Sequence, residues 1–132
     1  MPQTKSMIRK NLLSIIVALA ISYLSLAGSE KIDKISFINF SGIDKVVHFG
    51  MYFVFMSVIV FENKKRIKDK SQLYLIALIP FFYGILMELF QNWLTVSRSG
   101  SLIDTLFNLA GISISILMWL SIKFLRKDLF KL

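Results

Sequence analysis

The chain has 132 residues, of which 55% are hydrophobic, and its mean hydropathy is +0.65. Soluble domains average about 45–50% apolar residues, so this composition is typical of a membrane protein. The chain has no cysteine, which excludes disulfide bonds and thiolate metal sites. A net charge of +8 would favour nucleic-acid binding in a soluble protein, but here the positions of the charges indicate another role.

Four apolar segments follow one another along the chain. Each approaches the about 17–25 residues that a helix needs to cross a bilayer, and irregular backbone is not tolerated against lipid. We therefore predict an all-α integral membrane protein with a single domain, residues 1–132. The four predicted transmembrane helices cover residues 11–28, 45–62, 72–94 and 101–125.

The first apolar segment has a second interpretation. Its basic start, short apolar stretch and small residues before a cleavage position after Ala27 are also typical of a signal peptide. Because three further apolar segments follow, we favour a first helix that is not cleaved.

Lysine and arginine predict the orientation of the helices, because these residues concentrate in the cytoplasmic loops of membrane proteins. Twelve of the sixteen lie in the N-terminal arm, in the link between the second and third helices, or in the C-terminal tail. The other side has only Lys31, Lys34, Lys45 and Arg98. We therefore predict cytoplasmic termini (N-in/C-in) in a multi-pass protein of the cytoplasmic (inner) membrane. Membrane lipids are then its partners, and we predict no nucleic-acid partner.

Strongly polar residues of the last three helices collect at their predicted extracytoplasmic ends, and the opposite halves are nearly bare of them. Spacings of three and four residues align each set on one helix face. A charged side chain costs ~2.5–3.5 kcal/mol at the bilayer centre, so these side chains are expected to face the bundle. We predict one convergent site from three helices and a loop. Its members are Asp44, Lys45, His48, Tyr52, Glu88, Gln91, Arg98, Asp104 and Asn108.

The same residues carry a resemblance to a known family. The run Asp44-Lys45-x-x-His48-Phe49-x-x-Tyr52 resembles the first signature of the VanZ-like membrane proteins. A second block similar to that of the family follows in the same order, as Glu88-x-x-Gln91, Arg98 and Asp104-x-x-x-Asn108-x-x-Gly111. The resemblance covers about residues 43–116.

This resemblance implies a small polytopic protein of the bacterial cell envelope. The founding members of the family are associated with antibiotic resistance, specifically with lowered susceptibility to the glycopeptide teicoplanin. The resemblance implies no chemical mechanism, because the family is named from a phenotype.

Three interpretations of the convergent site stay open. The first is an enzyme that acts on a lipid-linked envelope substrate in the outer leaflet, with His48 as general acid or base, since imidazole changes its charge near neutral pH. The second is a non-catalytic site for a lipid head group, an envelope precursor or an amphiphilic antibiotic. The third is a structural polar network without a ligand. The candidate catalytic residues are His48, Glu88, Asp44 and Asp104, and the candidate substrate-binding residues are Lys45, Tyr52, Gln91, Arg98 and Asn108.

Other chemistries have less support. The histidine and the three carboxylates could bind zinc or a hard cation, but with one histidine and no cysteine we predict no metal and no cofactor. The chain has no glycine-rich phosphate loop and no GxSxG motif. The sequence leaves the oligomeric state open.

Overall fold

A computed structural model describes residues 2–27, 42–96 and 99–129. These residues form five helices and no strand, which confirms the all-helical fold. The helices are α1 (Pro2–Lys10), α2 (Leu12–Leu26), α3 (Ile43–Asn63), α4 (Lys70–Leu94) and α5 (Leu102–Leu129). Each of α3, α4 and α5 is long and apolar enough to cross a membrane, as the last three predicted segments require.

The first predicted span takes a different form. Helix α2 has only 15 residues, and it joins α1 at a bend of 67°, so the two count as a fourth span only if they are taken together. Asn11 lies at the bend, where its Nδ2 donates to the Met7 carbonyl at 3.1 Å and its Oδ1 accepts from Asn63 Nδ2 at 3.0 Å. A contact with α3 therefore accompanies the break in the helix.

Glu62, near the end of α3, holds the start of α2. Its two carboxylate oxygens accept hydrogen bonds from the backbone amides of Leu13, at 2.8 Å, and Ser14, at 3.0 Å. The first amides of a helix have no partner within the helix, and its positive end favours a carboxylate. A polar contact between helices is therefore also present at this end of the bundle.

Helices α3 and α5 form the most extensive contact between the helices. Gly111 on α5 permits it, because a Cβ atom there would lie 2.3 Å from the Phe49 carbonyl oxygen of α3. Tyr52, Phe55 and Met56 of α3 are buried in the core that this contact forms. Large apolar side chains cover much of the outer surface of the bundle, as expected for helices that face lipid.

Candidate functional site

Helices α3 and α5 begin, and α4 ends, at the same end of the bundle. The polar residues of these three ends converge there, and we call five of them the polar cluster: Asp44, His48, Glu88, Asp104 and Asn108. Four members are almost fully buried, since His48 is 2%, Asn108 3%, Glu88 6% and Asp104 6% exposed. The side chain of Asp44 is 51% exposed, so the polar cluster reaches the surface of the described bundle at that residue.

His48 is the central residue of the polar cluster. Its Nδ1 lies 3.0 Å from Asn108 Oδ1 and 3.5 Å from Glu88 Oε1, and its Nε2 lies 4.0 Å from Asp44 Oδ2. An amide oxygen only accepts, so Nδ1 carries a proton and donates it to Asn108. In the neutral imidazole, the lone pair is then on Nε2, on the side of Asp44.

The backbone of Gly100 and Ser101, just before α5, packs against Glu88. Glu88 Oε2 accepts a hydrogen bond from the Ser101 amide at 3.0 Å. A Cβ atom on Gly100 would lie 2.3 Å from the Glu88 carbonyl oxygen and 2.8 Å from Glu88 Oε2, so only glycine fits there without a shift. The other carboxylate oxygen, Oε1, is buried and accepts no hydrogen bond from the described residues.

Ser101 caps α5 and leaves the Asp104 side chain to the polar cluster. The Asp104 amide donates to Ser101 Oγ at 3.1 Å, which is the contact of a helix N-cap. One ligand atom from each of Asp44, His48 and Asp104 lies within 4.8 Å of the other two. The Asp104 carboxylate is therefore near His48 and is not used to cap its own helix.

The remaining predicted site residues have different surroundings. Tyr52 is buried beside Gly84, and its hydroxyl has no partner among the described residues. Gln91 Nε2 donates to the Ser25 carbonyl at 2.8 Å, so its amide joins α4 to α2. Lys45 is half-buried on α3. Arg98 lies outside the described residues.

The structure thus brings together five of the nine predicted residues, and their chemical roles stay predictions. It also shows polar neighbours that the sequence analysis missed. A cavity of about 220 Å³ lies between the end of α4 and the start of α5, with Glu88 in its wall. Its wall also contains Asn92, Ser101 and Thr105. Asn92 is four residues after Glu88, and Thr105 is four residues after Ser101, so helical spacing could have placed each pair on one helix face.

Comparison with known proteins places these residues in a family. Comparisons with curated proteins and with solved structures give no match. A family model described as VanZ/LLP1 matches residues 3–125, nearly the whole chain, and this range includes the whole polar cluster. The chain belongs to the VanZ/LLP1 family of membrane proteins.

Proposed function

We propose that the chain is a cell-envelope membrane protein that acts at the polar cluster on a lipid-linked or lipid-like substrate of the outer leaflet. The observation that carries this proposal is a set of buried polar atoms that have no hydrogen-bond partner among the described residues. Glu88 Oε1, Asn108 Nδ2 and Tyr52 Oη make no hydrogen bond within the described residues. Buried polar groups are nearly always paired, and leaving them unpaired is costly in low dielectric. A network that serves only to fix helix packing would pair them, so these atoms favour a ligand.

The cavity beside Glu88 supports a substrate that enters from the lipid. Its wall contains polar side chains and the apolar Ile85, Leu89 and Leu102. Leu89 and Leu102 are both exposed on the outside of the bundle. A molecule with an acyl or isoprenoid chain could lie along this apolar surface while its head group reaches Glu88.

Proton transfer in this proposal belongs to His48 and Glu88. Their side chains come within 3.5 Å of each other, so a proton can pass between them. Asn108 fixes the imidazole ring through its hydrogen bond to Nδ1. Arg98, placed near this end by the sequence alone, would bind an anionic head group.

The positive-inside pattern of the sequence assigns the polar cluster to the extracytoplasmic side, where lipid-linked cell-wall precursors are exposed. An effect on teicoplanin susceptibility would follow from a change in such a precursor or in the lipids around it. The family resemblance motivates this readout.

The test compares His48→Gln and Glu88→Gln with the unmodified chain in a teicoplanin-sensitive bacterium. Membrane-inserted protein, teicoplanin susceptibility and the mass spectrum of extracted lipids and precursors are measured together. We expect both variants to lose the effect at unmodified protein levels. Glu62→Gln is the matched control, because it makes the same chemical change at the opposite end of the bundle.

Each other outcome contradicts the proposal in its own way. A His48→Gln variant that keeps most of the effect would indicate binding without proton transfer. Protein levels that fall in parallel with the effect would indicate a packing network. If the unmodified chain changes neither susceptibility nor lipids relative to an empty vector, the proposed function is wrong.

A further inference from the structure

We propose that the polar cluster binds a divalent metal ion, Zn²⁺ in the first instance, through Asp44, His48 and Asp104. The inference deepens the proposed function and rests on it for the role of the site, whereas ion binding itself can be measured independently. It also departs from our sequence-based prediction of no metal, because the sequence could not show that two carboxylates from different helices approach one imidazole.

The distances among the three residues suit a shared ion. One ligand atom from each lies within 4.8 Å of the other two, and His48 Nε2 lies 4.0 Å from Asp44 Oδ2. Zinc binds nitrogen and carboxylate oxygen at about 2.0–2.2 Å, so two of its ligands stand roughly 3.3 Å apart in a tetrahedral site. Movements of about 1 Å would therefore close the three groups on the ion.

The hydrogen bond of His48 supports the same assignment. A histidine that binds metal usually donates its other ring N–H to a carbonyl or carboxylate oxygen, which fixes the tautomer and the ring orientation. Here Nδ1 donates to Asn108 Oδ1 at 3.0 Å, and Nε2 is left to face Asp44. His48 is 98% buried, as its exposed fraction is 2%. A second observation distinguishes the site from a group of acidic residues: Glu88 Oε1, 3.5 Å from His48 Nδ1, is buried and accepts no hydrogen bond from the described residues.

The charges of the polar cluster also favour a bound cation. It contains three carboxylates, those of Asp44, Glu88 and Asp104, around one imidazole. Like charges repel strongly where the dielectric is low. A divalent cation at the three ligands would offset two of the three formal negative charges.

The ligand set indicates the class of ion and its use. One imidazole nitrogen suits zinc and other transition metals, and three protein ligands with an open fourth position are typical of catalytic zinc sites. The open position would accept an anionic oxygen of the head group. When the ion is bound, His48 is one of its ligands, so the proton transfer that we proposed above for His48 and Glu88 is assigned to Glu88 alone.

The test is a titration of the purified full-length chain in detergent with Zn²⁺, after removal of metal by a chelator. A purification tag without histidine is used, because His48 is the only histidine in the chain. We expect saturable binding of one ion per chain, weakened at least tenfold in His48→Gln and in Asp104→Asn. Asn108→Leu, which removes the acceptor for Nδ1, is expected to weaken binding about 10- to 100-fold. Glu62→Gln should bind like the unmodified chain.

Before titration, circular dichroism measures the helix content of each variant, and its elution volume in detergent shows whether it is folded. If only one of His48→Gln and Asp104→Asn folds, that variant is enough for the test. Absence of saturable binding, or binding that is unchanged in His48→Gln or in Asp104→Asn, would overturn the inference. If Zn²⁺ does not bind but the proton-transfer variants still lose their effect in cells, only the metal assignment fails. If Zn²⁺ binds as expected but those variants keep their effect, the proposed function fails and the metal site stands.

Discussion

Replacing Gly111 by alanine should separate α3 from α5. A Cβ atom at Gly111 would lie 2.3 Å from the Phe49 carbonyl oxygen and 2.9 Å from the Phe53 amide nitrogen. Both are backbone atoms, and carbon contacts normally begin near 3.5 Å, so the helices must move apart by about 1 Å. Overpacking of this kind costs about 1–3 kcal/mol. The same movement would lengthen the 3.0 Å hydrogen bond between His48 and Asn108, which lies one turn away on α5.

Gly50 on α3 supplies the matched control, because a Cβ atom there would meet nothing within 4 Å. Both substitutions gain the same helix propensity, about 1 kcal/mol from glycine to alanine, so that gain cancels between the variants. Unfolding in increasing concentrations of SDS, followed by circular dichroism, measures the difference in the free energy of unfolding. We expect Gly111→Ala to be less stable than Gly50→Ala by about 1–3 kcal/mol. Equal stability of the two variants would refute the close contact of α3 with α5 at this glycine.

Two further substitutions test the contacts of α2 by the same measurement. Glu62→Ala removes the acceptor for the first amides of α2, so we expect it to lower the free energy of unfolding by about 0.5–2 kcal/mol. Glu62→Gln keeps one acceptor oxygen and should lower it less. If the two are equally stable, the carboxylate does not cap the helix. Gln91→Leu removes the hydrogen bond to the Ser25 carbonyl and should lower the free energy of unfolding by about 0.6 kcal/mol, the average measured for hydrogen bonds between membrane helices, and by about 1.7 kcal/mol at most. The neighbouring Asn92→Leu is its control, and equal stability of these two would mean that the amide of Gln91 does not hold α2.

The three long helices could be predicted from the sequence because each apolar run is long enough to determine its own structure. Helices α3, α4 and α5 contain the predicted spans almost completely. The start of the chain could not be predicted in the same way. At the 67° bend that ends α1, Asn11 and Ser14 contact residues of α3 that are about 50 positions away in the sequence. No local sequence pattern encodes such contacts.

The polar cluster could be predicted in part. Helical spacing predicts that Asp44 shares a helix face with His48, and Asp104 with Asn108, and in the structure Asp44, Asp104 and Asn108 all lie near His48. Spacing failed at Gln91, which is three residues from Glu88 but donates to α2 instead of facing His48. The reason is that α4 packs against α2 as well as against α3 and α5. A residue between two neighbouring helices can point to either, and only the packing decides.

The glycines and the polar residues of this site depend on each other. The bond from His48 to Asn108 spans two helices, and it reaches 3.0 Å because Gly111 lets the backbones of α3 and α5 touch. Gly84 of α4 makes a less close contact with side chains only, since a Cβ atom there would lie 3.2 Å from both Asn108 Nδ2 and a ring carbon of Tyr52. Lipid supplies no hydrophobic force between helices, so such contacts are stabilised by close packing and by hydrogen bonds together. The polar residues alone would therefore not assemble the polar cluster, because a larger side chain at Gly111 would leave His48 and Asp104 on their own helices but farther apart.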